Sequence, residues 1–132
     1  MSNLRRIRET GKAIAAIKRA MRAERDRVTQ ATREAVSADA VRSPERATID
    51  GYAARMDAAQ RAIAKLTAER AEMEAEERAR IDAAKMSDKR REFLTRYYLR
   101  GEARLKLQAE LGVSRWTVRR WIAAEEGRAK KG

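Results

Sequence analysis

The sequence predicts an all-α protein. Only one proline and six glycines interrupt its 132 residues. Alanine, arginine and glutamate dominate and β-branched runs are lacking, which favours helix over strand. Apolar residues recur at steps of three, four and seven along much of the chain, the period of a helix face. The length allows one or two small domains. The pattern divides into a helical hairpin or coiled coil over 1–86 and a smaller helical domain over 87–132.

The first helix is predicted over 3–36. Ile7, Ile14, Met21, Val28 and Ala35 recur every seven residues, and Leu4 and Ile17 widen the stripe. Gly11 interrupts it and weakens the first turns. Residues 37–43 form a connector. Ser43-Pro44 is a helix-start signal, because serine can accept backbone N–H bonds and proline fits the first helical position. A second helix is predicted over 44–85. Ile49, Tyr52, Met56, Ala59, Ile63 and Leu66 alternate steps of three and four as in a coiled-coil seam. Arg70 breaks the seam, and Met73 and Ile81 continue it loosely.

Charge suggests how these helices meet. Residues 1–33 hold ten Lys/Arg and three Asp/Glu, whereas residues 65–82 hold four and six. An antiparallel hairpin would set the basic start of the first helix beside the acidic end of the second. The same seam could instead join two chains as a homodimer.

Met86-Ser87-Asp88 reads as a break and a new N-cap. A short helix over 88–100 carries Phe93, Leu94, Tyr97 and Tyr98, and Gly101 ends it. A third segment over 103–110 carries Leu105 and Leu107. The stretch LGVSRWTVRRW (111–121) follows. Gly112 can take the positive φ of a tight turn, Val113 plugs the small core, and Ser114 caps a last helix from Arg115 to about Glu126. At about 100° per residue, Val118, Trp121 and Ile122 share one face of that helix. They are expected to pack on Leu105, Leu107, Leu111, Phe93 and Tyr97. Trp116 and Arg120 point nearly opposite, with Thr117 and Arg119 on the flanks and Arg115 at the start.

The net charge of +12, from 32 basic and 20 acidic residues, points to polyanionic partners, with nucleic acid first and an anionic membrane surface second. A major groove admits one α-helix, and arginine bonds a guanine edge at two points. Arginine also neutralises phosphate, and a capped helix N-terminus suits a phosphate oxygen. The candidate DNA-contacting residues are therefore Ser114, Arg115, Trp116, Thr117, Arg119 and Arg120. Lys89, Arg90 and Arg91 form a second basic cluster suited to phosphate, and the tail GRAKKG is expected to be a loose cationic arm.

Cysteine and histidine are absent. That excludes disulfides, zinc sites with Cys or His ligands, and histidine acid–base chemistry. No cofactor or metal site is expected. The acidic run EMEAEERARID (72–82) reads as a solvated helix face, with no partner base or phosphate loop to make it catalytic, so no enzyme activity is expected. No apolar run approaches the length of a membrane span. The charged start MSNLRRIRE lacks a following apolar core, so no secretory signal is expected. The expected location is the cytoplasm of a bacterial host cell.

The pattern Leu-Gly-Val-Ser-x-x-Thr-Val-x-x-Trp resembles the helix-turn-helix of sigma-factor region 4 and of many phage regulators. The longer string FLTRYYLRGEARLKLQAELGVSRWTVRRW resembles the phage late-gene transcriptional activators of the RinA/ArpU type. In these a tyrosine precedes a glycine by about three residues, as Tyr98 precedes Gly101. The resemblance covers about 93–122, and the family's coiled-coil-rich N-terminal region matches in layout. It implies a sequence-specific DNA-binding transcription regulator that activates late genes, with double-stranded DNA and host RNA polymerase as partners. One position departs from the pattern. Alanine is usual four residues before the turn glycine, and this chain has Gln108, which puts the packing of the two helices in question.

Two other functions suit parts of the sequence. A small terminase subunit also pairs a helix-turn-helix with coiled-coil helices, usually in the opposite order. A phage protein that binds and inhibits a host protein would use the basic amphipathic first helix.

Overall fold

The computed structural model describes residues 2–38 and 50–131, with side chains described through 34 and from 50 to 127. The described residues contain five α-helices and no strand. They are α1 (Asn3–Ala38), α2 (Tyr52–Ala83), α3 (Asp88–Leu94), α4 (Arg104–Leu111) and α5 (Arg115–Lys131). A π-helical turn, Thr95–Leu99, prolongs α3. The chain forms two compact units. One joins Met1–Lys12 to Thr67–Gly132, and the other is Ala13–Leu66.

The first unit holds the apolar core. Leu4, Ile7, Ile81, Phe93, Leu94, Tyr98, Leu99, Leu107 and Val118 are buried together, with Met73, Met86, Tyr97, Leu111, Val113, Trp121 and Ile122 packed against them. The first two turns of α1 thus share a core with the C-terminal helices. Ser2 starts α1, its hydroxyl accepting from the Arg5 N–H at 3.1 Å. Gly11 leaves α1 unbroken. A Cβ placed there would lie 3.6 Å from the Arg70 guanidinium, in ordinary contact.

Arg70 does not stop the helix that carries it. It turns into the first unit and donates to the Leu99 carbonyl, with Glu74 3.6 Å away. Arg8 donates to the Tyr97 and Glu102 carbonyls at 2.6 and 3.0 Å and stacks 3.9 Å over the Tyr97 ring. These arginines donate to carbonyls at the end of the π turn and in the loop before α4.

In the second unit, α1 and α2 are tied by Arg55, which pairs with Glu24 at 2.5 Å. Arg55 holds the Glu24 carboxyl below its ordinary value, chiefly through this hydrogen bond. This ion pair sets the acid on the first helix and the base on the second, outside residues 65–82 to which the charge totals refer. The carboxylates of the acidic half of α2 pair mainly within their own helix, as Arg78–Glu74 and Arg80–Glu77.

Several predicted boundaries shift. Helix α1 runs to Ala38 rather than 36. Ser43-Pro44 and Ile49 lie outside the described residues. Asp50 and Gly51 form a turn with Gly51 at φ +81°, so no unbroken helix covers 44–85. The helix expected over 88–100 changes to the wider π turn at Thr95. Helix α5 continues to Lys131, so the tail expected as a loose arm is helical up to that residue.

Candidate nucleic-acid interface

Helices α3, α4 and α5 are built as local chemistry dictates. Ser87 caps α3, its hydroxyl accepting from the Arg90 N–H at 3.2 Å. Arg91 donates to the Ala84 carbonyl at 3.0 Å and lies 3.4 Å from the Ile81 carbonyl, closing the end of α2. The α4–α5 turn is Gly112-Val113-Ser114. Gly112 has φ +65° and ψ +38°, a left-handed conformation that costs a residue with a Cβ about 1 kcal/mol or more. The Val113 N–H reaches the Gln108 carbonyl at 3.1 Å. The Ser114 hydroxyl accepts from the Thr117 N–H at 3.1 Å and meets the Thr117 hydroxyl at 3.0 Å.

This turn fixes which side of α5 faces inward. Val118 is fully buried, and Trp121 and Ile122 pack on the core. The Trp121 ring lies 5.6 Å from Phe93, which stacks on Tyr97 at 5.2 Å. Leu107 and Leu111 join this core. Leu105, expected there too, is 72% exposed. Residues two positions apart on a helix lie about 200° apart around it, so Leu105 and Leu107 cannot both face inward.

The outer side of α5 carries most of the candidate residues. Ser114, Arg115, Trp116, Arg119 and Arg120 are exposed, and Thr117 is half-buried. Trp116 is 62% exposed, with the Arg115 and Arg119 guanidinium carbons 5.1 and 5.2 Å from its ring centre. Among the described residues, no carboxylate pairs with Arg115, Arg119 or Arg120. Ser114 is occupied in part by its capping role.

The second basic cluster behaves differently. Arg91 closes α2, and Arg90 lies 3.5 Å from the Glu125 carboxylate. Both guanidinium groups are thus engaged within the fold, whereas Lys89 remains exposed. Glu125 is buried on α5 and also takes a 2.8 Å bond from Arg80. It sits seven residues after Val118 and four after Trp121, on the core face of its helix. A carboxylate at that spacing was the sequence signal for this network, and the reading of α5 as core face and arginine face passed over it.

Arg96 organises the opposite end of the domain. It grips Glu102 through two bonds, at 2.8 and 3.0 Å, and also pairs with Glu110. The Glu102 carboxyl is lowered to about 2, chiefly by the Arg96 hydrogen bond. Burial pushes the Tyr98 hydroxyl well above its usual range, with the Glu126 charge adding to it. The amide oxygen of Gln108, at the departing position, is buried without a hydrogen-bond partner. The Gln108 side chain as a whole is half-buried.

No helix among the described residues is long and apolar enough to cross a membrane. Comparison with protein-family models, curated proteins and solved structures finds no match for this chain.

Proposed function

We propose that this chain is a sequence-specific DNA-binding transcription regulator. Helices α4 and α5 act as a helix-turn-helix, and α5 enters the major groove. The observation that carries this reading is the division of α5. One side is anchored by Val118, Trp121 and Ile122, while the other presents Arg115, Arg119 and Arg120 around an exposed Trp116. Arginines without carboxylate partners stay available to a polyanion. On a helix fixed to a core they are held at a set spacing, as base readout requires.

Arg119 and Arg120 are assigned to base edges. Arg115 and the capped start of α5 are assigned to phosphate, with Thr117 and Ser114 beside them. Trp116 lies against a thymine methyl or a sugar while its ring steadies two guanidinium groups. The resemblance over 93–122 extends the reading to a phage-encoded activator of late genes that engages host RNA polymerase. The helical hairpin of α1 and α2 then either dimerises or holds a polymerase subunit.

The test is selection from a pool of random-sequence duplex DNA at about physiological salt. It compares the wild-type chain with the double variant Arg119→Ala/Arg120→Ala. The expected result is one enriched motif that the variant loses, since each two-point arginine–guanine contact contributes about 1–3 kcal/mol of discrimination. Enrichment of nothing, or identical behaviour of the two proteins, overturns the proposal.

A further inference from the structure

Among the described residues, unit Ala13–Leu66 carries an apolar face with no partner. Among its residues of described burial, Ala31 alone is buried. Ile14, Ile17, Met21 and Val28 of α1, and Tyr52, Met56, Ile63 and Leu66 of α2, are all half-buried. The two helices cover part of these stripes, and no other described residue of the unit buries the rest. Between them lies a cleft of about 300 Å³ lined by Lys18, Met21, Arg22, Arg25 and Met56.

Two properties of the cleft define its occupant. Its apolar lining is Met21 and Met56, flexible thioether side chains that reshape around an incoming group. Its rim is cationic. Lys18, Arg22 and Arg25 follow steps of four and three on α1, which sets them within about 60° of one another on the helix surface. No carboxylate pairs with them among the described residues; Glu24, next to Arg25 in the chain, is held by Arg55 and Arg27.

We infer that this cleft binds an acidic amphipathic helix of another protein. An apolar side chain enters between Met21 and Met56, and carboxylates at matching steps of three and four meet Lys18, Arg22 and Arg25. A second copy of the chain suits the cleft less well. Residues 13–38 and 50–66 hold nine Lys/Arg against five Asp/Glu, so two such faces repel. A nucleic-acid backbone would satisfy the cations and leave the methionine lining without an apolar group.

The experiment is selection of helical peptides on the full chain. The library fixes a helix-forming scaffold and varies its face positions among Glu, Asp, Lys, Arg, Leu, Met and Phe. The expected winners carry Glu or Asp flanking a Leu, Met or Phe. They shift the methyl resonances of Met21 and Met56, and they lose about tenfold or more in affinity for Arg22→Glu/Arg25→Glu. That variant alters exposed side chains only, and its helicity is checked by circular dichroism. Four results overturn the inference. They are no winner, winners without acidic enrichment, equal binding to the charge-reversed variant, and Met21 and Met56 signals that move with duplex DNA or with protein concentration alone. The Arg119→Ala/Arg120→Ala variant keeps peptide binding, so this outcome stands apart from the DNA test.

Discussion

Glu125 is the charged residue whose loss should most weaken the seating of α5. Its carboxylate is 3% exposed, and it meets Arg80 at 2.8 Å and Arg90 at 3.5 Å. Glu125→Gln keeps the shape and removes the charge. Breaking a fully buried ion pair by removing one partner costs about 3–5 kcal/mol, because the remaining charge is stranded. Exposed pairs contribute only about 0.2–1 kcal/mol. This site lies between those limits, since the Arg80 and Arg90 side chains keep 26% and 30% of their exposure and can hydrate when freed. Arg80 also keeps Glu77 at 2.6 Å. The expected cost is therefore about 2 kcal/mol, a fall in Tm of roughly 10 °C for a unit of this size. Urea denaturation followed by circular dichroism measures it, in a double-mutant cycle with Arg80→Gln. A cost below about 0.5 kcal/mol, or a coupling energy near zero, would refute the reasoning. DNA affinity should fall with the same variant, because Glu125 holds the far end of the proposed recognition helix.

Three further outcomes follow from the same structure. Gly11→Ala should stabilise the chain by about 0.5–1 kcal/mol in the same assay, since Gly11 is inside a regular helix and an added Cβ meets Arg70 only at 3.6 Å; destabilisation would mean that Arg70 needs the space. Trp116→Ala should leave stability within about 1 kcal/mol of wild type, losing two exposed cation–π contacts, while Trp121→Ala should cost about 2–3 kcal/mol for its lost contact with the Phe93 core; equal costs would contradict the assigned faces. Glu102 has a depressed folded pKa, so its contribution is present above the ordinary carboxyl value of 4.5 and is lost as pH falls towards about 2. Glu102→Gln should therefore make stability less steep in pH across that window, and an unchanged acid profile would remove Arg96–Glu102 from the account.

Much of helices α3 to α5 was legible because their signals are local. Ser87 and Ser114 cap helices, Gly112 takes the left-handed turn, and Val118 faces inward, as the sequence predicts. Each depends on a residue's own φ, hydroxyl or helical phase. The exposure of Trp116 and the inward packing of Trp121 follow from the same arithmetic, five residues being about 140° around a helix.

Tertiary structure decided the partners. The stripe Leu4, Ile7, Ile14, Met21 and Val28 reads as one helix face because periodicity reports only which side of a helix is apolar. Leu4 and Ile7 are buried with Phe93 and Val118, while Ile14, Met21 and Val28 belong to the other unit and stay half-buried. Arginine shows the same division. In sequence, Arg90 and Arg91 look as available as Arg119 and Arg120. Folding sets Glu125 and the α2 carbonyls beside the first pair and no described carboxylate beside the second. Composition and helical period determine where helices form and which side is apolar, because those depend on nearest neighbours along the chain. Which charges are consumed inside the fold and which remain for a partner depends on groups up to 94 residues apart, such as Arg8 and Glu102, and only their meeting in space decides it.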